Sequence, residues 1–351
     1  MKKRKIFAIL LSLLMVVSLV AACGGDDSAD DAASDSDDTV AVEDADSGSE
    51  DAAAEGDISI SVILKTTASE YWGYVMAGAL SYMDDNPDVF VEVVGAANET
   101  AFDEQLSMIE TALGSDAYDG FVISPLQGDM VATTIEGSDK PIIAIDTDIP
   151  SDKVLSFVGT GNEEAAKLGG ETAVEVAEER GWEELKAICI TGVQGDTTAQ
   201  ARIDGYKQGV EAAGGIFLDE EIQYADATTD KAVNSMEAIM QKYPEGIAMI
   251  LCNNDDMALG ASRAAAGNEA YKDTVFVGFD GVQSACNAIL AGEQTLSVAQ
   301  DAYGMGYLAV EAAHKAIMGE ELDDFIDSGA SMITPENAQE QLDKLKGYLG
   351  E

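Results

Sequence analysis

Short apolar runs alternate with amphipathic, helix-length segments from residue 58 almost to the end of the chain. The runs that predict strands cover residues 58–64, 89–95, 120–124, 141–146, 154–159, 186–192, 246–251, 274–280 and 295–300. The segments that predict helices include EYWGYVMAGALSYMDD, AFDEQLSMIETALG, NEEAAKLGGETAVEVAEER and KAVNSMEAIMQKY. Apolar strands that alternate with helices are typical of parallel sheets covered by helices on both faces. The pattern therefore predicts an α/β protein with doubly wound parallel sheets.

The length and composition of the chain predict two folded domains. With 351 residues, the chain is longer than a single hydrophobic core usually requires. Its content of 46% hydrophobic and 24% charged residues is typical of a folded protein. The alternating region is long enough to form both domains.

The first 22 residues have the pattern of a secretory signal. Four of the first five residues are basic, an apolar run covers residues 6–20, and small residues precede Cys23. The apolar run is short for a membrane span, which favours a signal peptide over residues 1–22. The stretch LVAAC resembles a bacterial lipobox, which implies that Cys23 is diacylated and holds the protein on the extracytoplasmic face of the cell membrane, as at a Gram-positive surface. A plain secreted protein is the alternative.

An acidic segment separates Cys23 from the alternating region. Residues 24–57 contain fourteen acidic residues and no lysine or arginine. Such a segment has too little apolar surface to form a core, and its like charges repel one another. We therefore predict a disordered tether over residues 23–57, with an acidic tail for a basic partner as the alternative.

The remaining chain is also strongly acidic. Fourteen of the 66 acidic residues lie in the tether and four of the 19 basic residues in the signal, which leaves 52 acidic and 15 basic residues, a formal charge of −37. A surface this negative repels nucleic acid and anionic lipid, so we exclude both as partners. It also disfavours phosphorylated or carboxylated ligands. Adaptation to high salt is a second explanation of the charge.

No sequence motif indicates catalysis, a metal or a cofactor. Cys189, Cys252 and Cys286 lie in apolar runs and form no closely spaced pair, so we interpret them as buried thiols. His314 lies in a helical pattern without other metal ligands nearby. The chain has no Walker loop, no G-x-S-x-G elbow, no H-E-x-x-H and no G-x-G-x-x-G after its first strand. We predict no enzyme activity, with a secreted glycoside-active enzyme as the disfavoured alternative.

Six predicted strands end in residues that form hydrogen bonds. These are Ser124, Asp146, Thr191 with Gly192, Asn254, Asp280 and Gln300. Parallel sheets bind ligands beyond the carboxyl ends of their strands. Each residue alone could cap a helix, and Asp255 or Asp256 is expected to cap the helix that follows Asn254. Six together favour one shared polar site.

Several segments together resemble a known family. In order they are ISVILKTTASEYWGYVMAGA, GFVISP, PIIAIDTD, VGTGNEEAAKLGG, QARIDGYKQGV, LCNNDDMALGA, VFVGFDG and LSVAQD. They resemble the ribose- and galactose-binding type of periplasmic sugar-binding protein, the type I solute receptors of ABC importers. The resemblance runs from Ile58 to GASMITPENAQEQLDKL, and NNDDMALGA followed by GFDG is its most specific part. Lactose-repressor-type regulators share this core, but the lipoprotein signal and the absence of a helix-turn-helix at the N-terminus set them aside.

The resemblance implies the type I periplasmic-binding-protein fold. Two lobes joined by three hinge strands would close on one neutral sugar. The first lobe would contain residues 58–160 and 301–329, and the second residues 161–300 and 330–351. The protein would act as a monomer that delivers its sugar or polyol to an ABC permease. A sensory receptor for a membrane kinase or chemoreceptor is the alternative.

The resemblance also implies the ligand-binding residues. Those implied for sugar hydroxyls are Asp146, Arg202, Asn254, Asp280 and Gln300. Tyr71 and Trp72 would pack against the apolar face of the sugar ring. Adjacent helical residues do not share one face, so at least one of this pair is expected to face the cleft or solvent rather than the core.

Four further residues align with pocket positions of the family: Ser69, Ser124, Thr147 and Ala227. Ribose receptors usually have asparagine, arginine and an aromatic residue where this chain has Ser69, Thr147 and Ala227. The tryptophan and the aspartate of galactose receptors are absent as well. The sequence therefore leaves open a pentose, a hexose, a polyol such as inositol, or a furanose such as autoinducer-2.

Overall fold

The structure, a computed structural model, describes residues 58–351. The predicted signal peptide, the lipidated Cys23 and the acidic tether lie outside the described residues. Within the described part of the chain, none of the helices has the length and apolar character needed to cross a membrane.

Thirteen strands and ten α-helices are described. The strands are β1 (Ile58–Leu64), β2 (Val89–Gly95), β3 (Gly120–Ile123), β4 (Ile142–Ile145), β5 (Val154–Gly159), β6 (Lys186–Thr191), β7 (Ile216–Phe217), β8 (Gln223–Tyr224), β9 (Met249–Cys252), β10 (Val275–Asp280), β11 (Leu296–Gln300), β12 (Phe325–Asp327) and β13 (Ala330–Ile333). The helices are α1 (Glu70–Asp85), α2 (Phe102–Leu113), α3 (Gly128–Ile135), α4 (Asn162–Glu179), α5 (Thr197–Ala212), α6 (Thr229–Lys242), α7 (Asp255–Ala265), α8 (Gln283–Ala291), α9 (Ala302–Ile317) and α10 (Ala338–Leu349).

The strands form two sheets, each the centre of one lobe. The sheet of the first lobe has the order β12-β5-β4-β3-β1-β2. The sheet of the second lobe has the order β13-β11-β10-β9-β6-β7, and β8 also pairs with β6. Within residues 58–351 every strand pair is parallel except β11 with β13. The prediction of two doubly wound parallel sheets is confirmed.

The central strands are buried because helices cover both of their faces. Every residue of β3, β4 and β9 is buried, whereas β2 at a sheet edge alternates between buried and exposed positions near its start. Such apolar runs are expected for parallel strands covered on both sides. Four short strands, β7, β8, β12 and β13, were not predicted. They have only two to four residues and mostly exposed or half-buried side chains, so they lack an apolar run.

The chain crosses between the two sheets three times. The crossings lie between β5 and α4, between β11 and α9, and between β12 and β13. Hydrogen bonds link these crossing segments to one another. The Ser328 amide donates to the Gly159 carbonyl at 2.8 Å, and the Thr160 hydroxyl donates to Oε1 of Gln300 at 2.8 Å. These three crossings form the hinge that the resemblance implies.

Candidate functional site

The carboxyl ends of strands in both sheets face one shared cavity. Its wall is formed by segments that follow β1, β2 and β4 in the first lobe and β6, β8, β9 and β10 in the second. The cavity measures about 60 Å³, several times the space that one buried water molecule needs. Because parallel sheets bind ligands at this end of their strands, the cavity is the candidate site.

Eight of the eleven residues predicted for the site line this cavity. They are Ser69, Tyr71, Trp72, Asp146, Arg202, Ala227, Asn254 and Asp280. The first four belong to the first lobe and the last four to the second. Ser124, Thr147 and Gln300 are buried and do not line the cavity.

Tyr71 and Asp146 form the centre of the first-lobe wall. Asp146 follows β4, and its Oδ1 accepts a hydrogen bond from the Tyr71 hydroxyl at 2.8 Å. Its Oδ2 accepts from the Thr147 hydroxyl at 2.9 Å. Burial and the nearby Asp146 raise the pKa of Tyr71 well above its usual value. The phenol therefore stays protonated and holds the carboxylate in one orientation.

Trp72 and Glu99 form a second pair on the same wall. The Trp72 indole Nε1 donates to Oε1 of Glu99 at 3.1 Å. The rings of Tyr71 and Trp72 meet edge to face with centroids 5.1 Å apart, and both side chains line the cavity. Both reach it because they lie in the first turn of α1, whose end points at the cavity. Ser69 caps this end, its hydroxyl oxygen accepting from the Trp72 amide at 3.4 Å.

Arg202 on α5 is fixed within the second lobe. Its Nε donates to Oδ1 of Asn162 at 2.8 Å, and its Nη1 donates to the Asn253 carbonyl at 2.5 Å. The guanidinium lies 3.8 Å from the centre of the Phe279 ring and 3.7 Å from Oδ1 of Asp280. With only 6% of its surface exposed, Arg202 presents its charge to the cavity in a single orientation.

Asp280 is the last residue of β10, and Gln300 lies behind it and binds it. The Gln300 amide nitrogen donates to Oδ1 of Asp280 at 2.8 Å, and its oxygen accepts from Thr160 in the hinge. Burial raises the pKa of Asp280 well above its usual value, against the opposing effect of Arg202. Gln300 was predicted to bind sugar hydroxyls. Gln300 is the last residue of β11, where the chain enters the hinge. Its side chain therefore bonds to the hinge and positions Asp280 instead of facing the cavity.

Asn254 both lines the cavity and caps α7. Its Oδ1 accepts from the Met257 amide at 2.8 Å, and its Nδ2 donates to the Ala227 carbonyl at 3.1 Å. The prediction that Asp255 or Asp256 caps this helix is wrong. Asn254 is the residue with the extended backbone, φ −149°, that a cap requires.

Asp255 instead binds the turn after β10. Its Oδ2 accepts from the amides of Gly281 and Val282 at 2.7 and 3.1 Å. Its Oδ1 accepts from the Ser297 hydroxyl and the Gln294 amide at 2.7 and 3.1 Å. Despite these four donors, burial raises the pKa of Asp255 to about 7. The carboxyl group is thus a structural element directly behind Asp280.

Ser124 and Thr147 lie outside the cavity for different reasons. Ser124 is fully buried after the central strand β3, and its carbonyl accepts from the Gln105 amide at 2.8 Å. Thr147 turns toward the second lobe, where its hydroxyl lies 2.9 Å from that of Thr198. Both residues follow first-lobe strands as predicted, but their side chains do not reach the cavity wall.

Several residues of the wall were not predicted, notably Lys65, Glu99, Asp196 and Asn253. Lys65 directly follows β1, so the rule that identified Asp146 applies to it equally. Its Nζ lies 2.5 Å from Oδ2 of Asp196 and 3.9 Å from Oδ2 of Asp146. Burial lowers the pKa of Lys65, but Asp196, Asp146 and Glu99 raise it by more, so the net shift is upward.

Strained backbone is concentrated at the cavity. Four residues other than glycine have positive φ angles within residues 58–351: Asp146 at 63°, Asp226 at 46°, Ala227 at 59° and Asp280 at 115°. Three of them line the cavity. Such strain costs of order 1 kcal/mol or more per residue and persists where the surrounding structure imposes it, typically at ligand sites.

No cluster of three or more potential metal ligands occurs between residues 58 and 351. Cys189, Cys252 and Cys286 are free and buried, in agreement with their interpretation as apolar thiols. The arrangement thus offers carboxylates, amides, a guanidinium and two aromatic rings around a small space. Such groups are suited to binding a neutral molecule with many hydroxyl groups.

Comparison with known proteins agrees with the resemblance found in the sequence. Residues 60–321 match the family described as periplasmic binding protein domain. The ribose import binding protein of Escherichia coli (strain K12) is 29% identical over 204 residues, which are 57% of this chain and 66%, just under two thirds, of that protein. The ribose import binding protein of Bacillus subtilis (strain 168) is 27% identical over 252 residues, 70% of this chain and 77% of that protein.

Two solved structures extend the match to three dimensions. A carbohydrate transporter solute binding protein from Agrobacterium radiobacter, in complex with D-arabinose, is 26% identical with a TM-score of 0.75, covering 82% of this chain and 98% of that one. An ABC transporter solute binding protein from Mycobacterium smegmatis, with bound glycerol, is 26% identical with a TM-score of 0.71, covering 81% and 96%. The family match spans the chain from β1 to α9, which includes every strand around the cavity.

Proposed function

Because the chain belongs to the periplasmic binding protein domain family, we propose that it captures one neutral monosaccharide or polyol between its lobes and delivers it to an ABC importer. The observation that carries this proposal is the shared cavity, to which both lobes contribute hydrogen-bonding side chains. Ligand contacts from both lobes favour the closed state, and only that state would present the surface that the permease recognises.

The chemistry of the wall fits such a ligand. Sugar hydroxyls both donate and accept, so they match the carboxylates of Asp146 and Asp280, the guanidinium of Arg202 and the amide of Asn254. Hydrogen bonds to charged groups contribute about 1.5 to 3 kcal/mol each, and micromolar affinity needs only about 8 kcal/mol. A few such contacts are therefore sufficient after the costs of ordering.

The named relatives support the same class of ligand. Both relatives are ribose import binding proteins, and the two solved structures hold D-arabinose and glycerol. These are all small, neutral molecules with several hydroxyl groups. The relatives are binding proteins rather than enzymes, and we propose the same for this chain.

Export, lipid anchoring, the monomeric state and the location are proposed from the sequence. We propose that residues 1–22 direct export, that Cys23 carries the lipid, and that the protein acts as a monomer on the extracytoplasmic face, as at a Gram-positive surface. Replacing Cys23 with serine should move the protein from the membrane fraction to the soluble fraction. Retention of the variant in the membrane fraction would contradict lipid anchoring.

A thermal-shift screen of the purified protein tests the binding function. The panel contains neutral pentoses, hexoses, polyols and autoinducer-2, at low and high salt. A ligand that binds only the folded state adds about 2.7 kcal/mol of stability at a hundredfold excess over its dissociation constant. We expect a strong hit for one compound and its loss in the Asp146→Asn variant. No shift across the panel, with a folded sample, would contradict a neutral sugar or polyol as the ligand.

A further inference from the structure

An ion pair joins the two lobes at the edge of the cavity. Lys65 directly follows β1 in the first lobe, and Asp196 precedes α5 in the second lobe. The Lys65 ammonium lies 2.5 Å from Oδ2 of Asp196. Only 5% of the Lys65 side chain and 10% of the Asp196 side chain are exposed. Each lobe therefore contributes one charge to a contact from which water is almost excluded.

Each partner is positioned by its own lobe. Asp196 caps α5, its Oδ1 accepting from the Ala199 amide at 2.7 Å. Lys65 lies near Asp146 and Glu99 of the first lobe, whose negative charges favour its protonated form. Burial raises the pKa of Asp196, but Lys65 lowers it by more, so the net shift is downward. In the lobe arrangement of this structure, both groups are therefore held in their charged forms, and Asp196 is oriented by its own helix.

Neutral contacts accompany the ion pair. The hydroxyls of Thr147 and Thr198 lie 2.9 Å apart across the lobe boundary, and Thr198 also donates to the Asp146 carbonyl at 3.3 Å. Charged hydrogen bonds are about twice as strong as neutral ones. Among the contacts on this side of the cavity, loss of one partner of the ion pair should therefore have the largest effect on the lobe arrangement.

We propose that Lys65 and Asp196 form a latch that sets the balance between open and closed lobes. The latch acts through the pairing of the two side chains with each other, and neither needs to touch the bound molecule. Its consequence for affinity rests on the proposed function, but opening and closing can be measured without any sugar. The two proposals can therefore fail separately.

The free energy of closure should change differently in the single and double variants of the latch. Closure removes water from both charges, and their mutual attraction offsets this cost. Without Lys65, closure would bury the Asp196 carboxylate with no cation to pair with it. Without Asp196, Lys65 would keep Asp146 and Glu99 as neighbours. With both charges removed, neither the attraction nor the desolvation cost remains, so the two single effects should not add.

The test measures the distance between the lobes in the unliganded full chain. Spin labels on Asp139→Cys and Glu237→Cys, at exposed sites of the first and second lobes, report closure. Cys23→Ser prevents labelling of that thiol, and the other three cysteines are buried. Lys65→Met should lower the closed-to-open ratio by roughly tenfold to a hundredfold, and Asp196→Asn by less. The double variant should return toward the unsubstituted protein.

Controls separate the latch from other roles. Asn is also a good helix cap, so Asp196→Asn should keep α5 intact. Lys272→Met, which removes a surface pair with Glu269 at 3.5 Å, should leave the lobe distance unchanged. A distance unchanged by Lys65→Met, or additive effects in the double variant, would overturn the proposal.

Titration with D-ribose and D-arabinose adds a second readout. A latch predicts that affinity follows the closed population, so the double variant binds better than Lys65→Met. A double variant that binds no better would show that Lys65 acts on the sugar itself and would also overturn the latch. Absence of binding by every variant, together with the expected lobe distances, would count against these two sugars as ligands and leave the latch supported.

Discussion

The two walls of the cavity are built differently. On the first-lobe wall, Tyr71 and Trp72 bond to Asp146 and Glu99, so the side chains are held mainly by one another. On the second-lobe wall, the side chains are held by the backbone, by a helix end and by the hinge. Arg202 binds a backbone carbonyl, Asn254 caps α7 and Asp280 is bonded to the hinge through Gln300.

This difference separates affinity from stability. A change of Tyr71 or Trp72 on the first-lobe wall should weaken binding with a modest effect on folding, because it breaks contacts between cavity side chains. A change of Arg202 or Asn254 on the second-lobe wall should do both, because these groups satisfy a buried backbone carbonyl and a helix end. The effects of substitutions on the free energy of unfolding should therefore be larger in the second lobe.

The largest effect is expected for Arg202→Met. The substitution leaves Asn162 and the Asn253 carbonyl without their donor and Asp280 without its cation. Removing one partner of a buried ion pair costs about 3 to 5 kcal/mol, which corresponds to a melting temperature lower by about 6 °C or more. Calorimetry measures the loss, and binding should disappear with it.

Arg263→Met is the matched control for this substitution. Arg263 forms a surface pair with Glu293 at 3.5 Å, and its side chain is 58% exposed. Its removal should change the melting temperature little. If both variants lower the melting temperature equally, Arg202 contributes no more to stability than a surface arginine. The comparison between the two walls would then be wrong.

Lower pH should stabilise the protein through two buried carboxyl groups, one in the second-lobe wall and one behind it. Burial raises the pKa of Asp255 to about 7 and raises that of Asp280 as well. A carboxyl group with a higher pKa in the folded state holds more protons when folded than when unfolded, so stability falls as pH rises from about 4 to 7. We expect the free energy of unfolding to be about 2 kcal/mol larger at pH 5 than at pH 7.5.

The Asp255→Asn variant isolates this contribution. Protonation of other acidic groups relieves repulsion in the same direction, because the chain is so acidic. The variant should be less stable at every pH, since its amide cannot accept from all four donors, but its pH dependence should be flatter. Asp273→Asn at an exposed site should leave the slope unchanged. A slope equally steep in Asp255→Asn would contradict the role assigned to this group.

The sequence predicts the wall residues that directly follow long apolar strands. Asp146 and Asp280 belong to this class, and both line the cavity. Lys65 follows β1 in the same way, but a lysine at that position resembles an ordinary solvated side chain. Glu99 and Asp196 lie in loops without periodicity. Their contacts depend on how loops fold back and how the lobes meet, which no local pattern encodes.

Gln300 shows a second limit of the sequence. Its position at the end of β11 is predicted correctly, but the direction of its side chain depends on the hinge. Only the pairing of three distant chain segments, which contain Thr160, Gln300 and Ser328, determines that direction. The fold is thus predictable from periodicity and the candidate site only in part.

On the first-lobe wall, Tyr71→Phe should weaken binding with little loss of stability. The substitution keeps the ring against Trp72 and removes the hydroxyl that orients Asp146 at 2.8 Å. A hydrogen bond to a charged group contributes about 1.5 to 3 kcal/mol, so affinity should fall about tenfold or more in a calorimetric titration. Tyr307→Phe, whose hydroxyl makes only an exposed 3.4 Å contact with Asp85, is the control. A larger change in melting temperature than in affinity would reverse the expected order of the walls.

The smallest effect, and one of opposite sign, is expected for Ala227→Gly on the second-lobe wall. Ala227 has a φ of 59°, which costs a residue with a Cβ about 1 to 2 kcal/mol and costs glycine almost nothing. The greater freedom of glycine in the unfolded chain offsets part of this gain, so we expect a net stabilisation of about 0.5 kcal/mol. Ala201→Gly within α5 should instead destabilise by about 1 kcal/mol. If both variants lose stability equally, the strain at Ala227 contributes nothing.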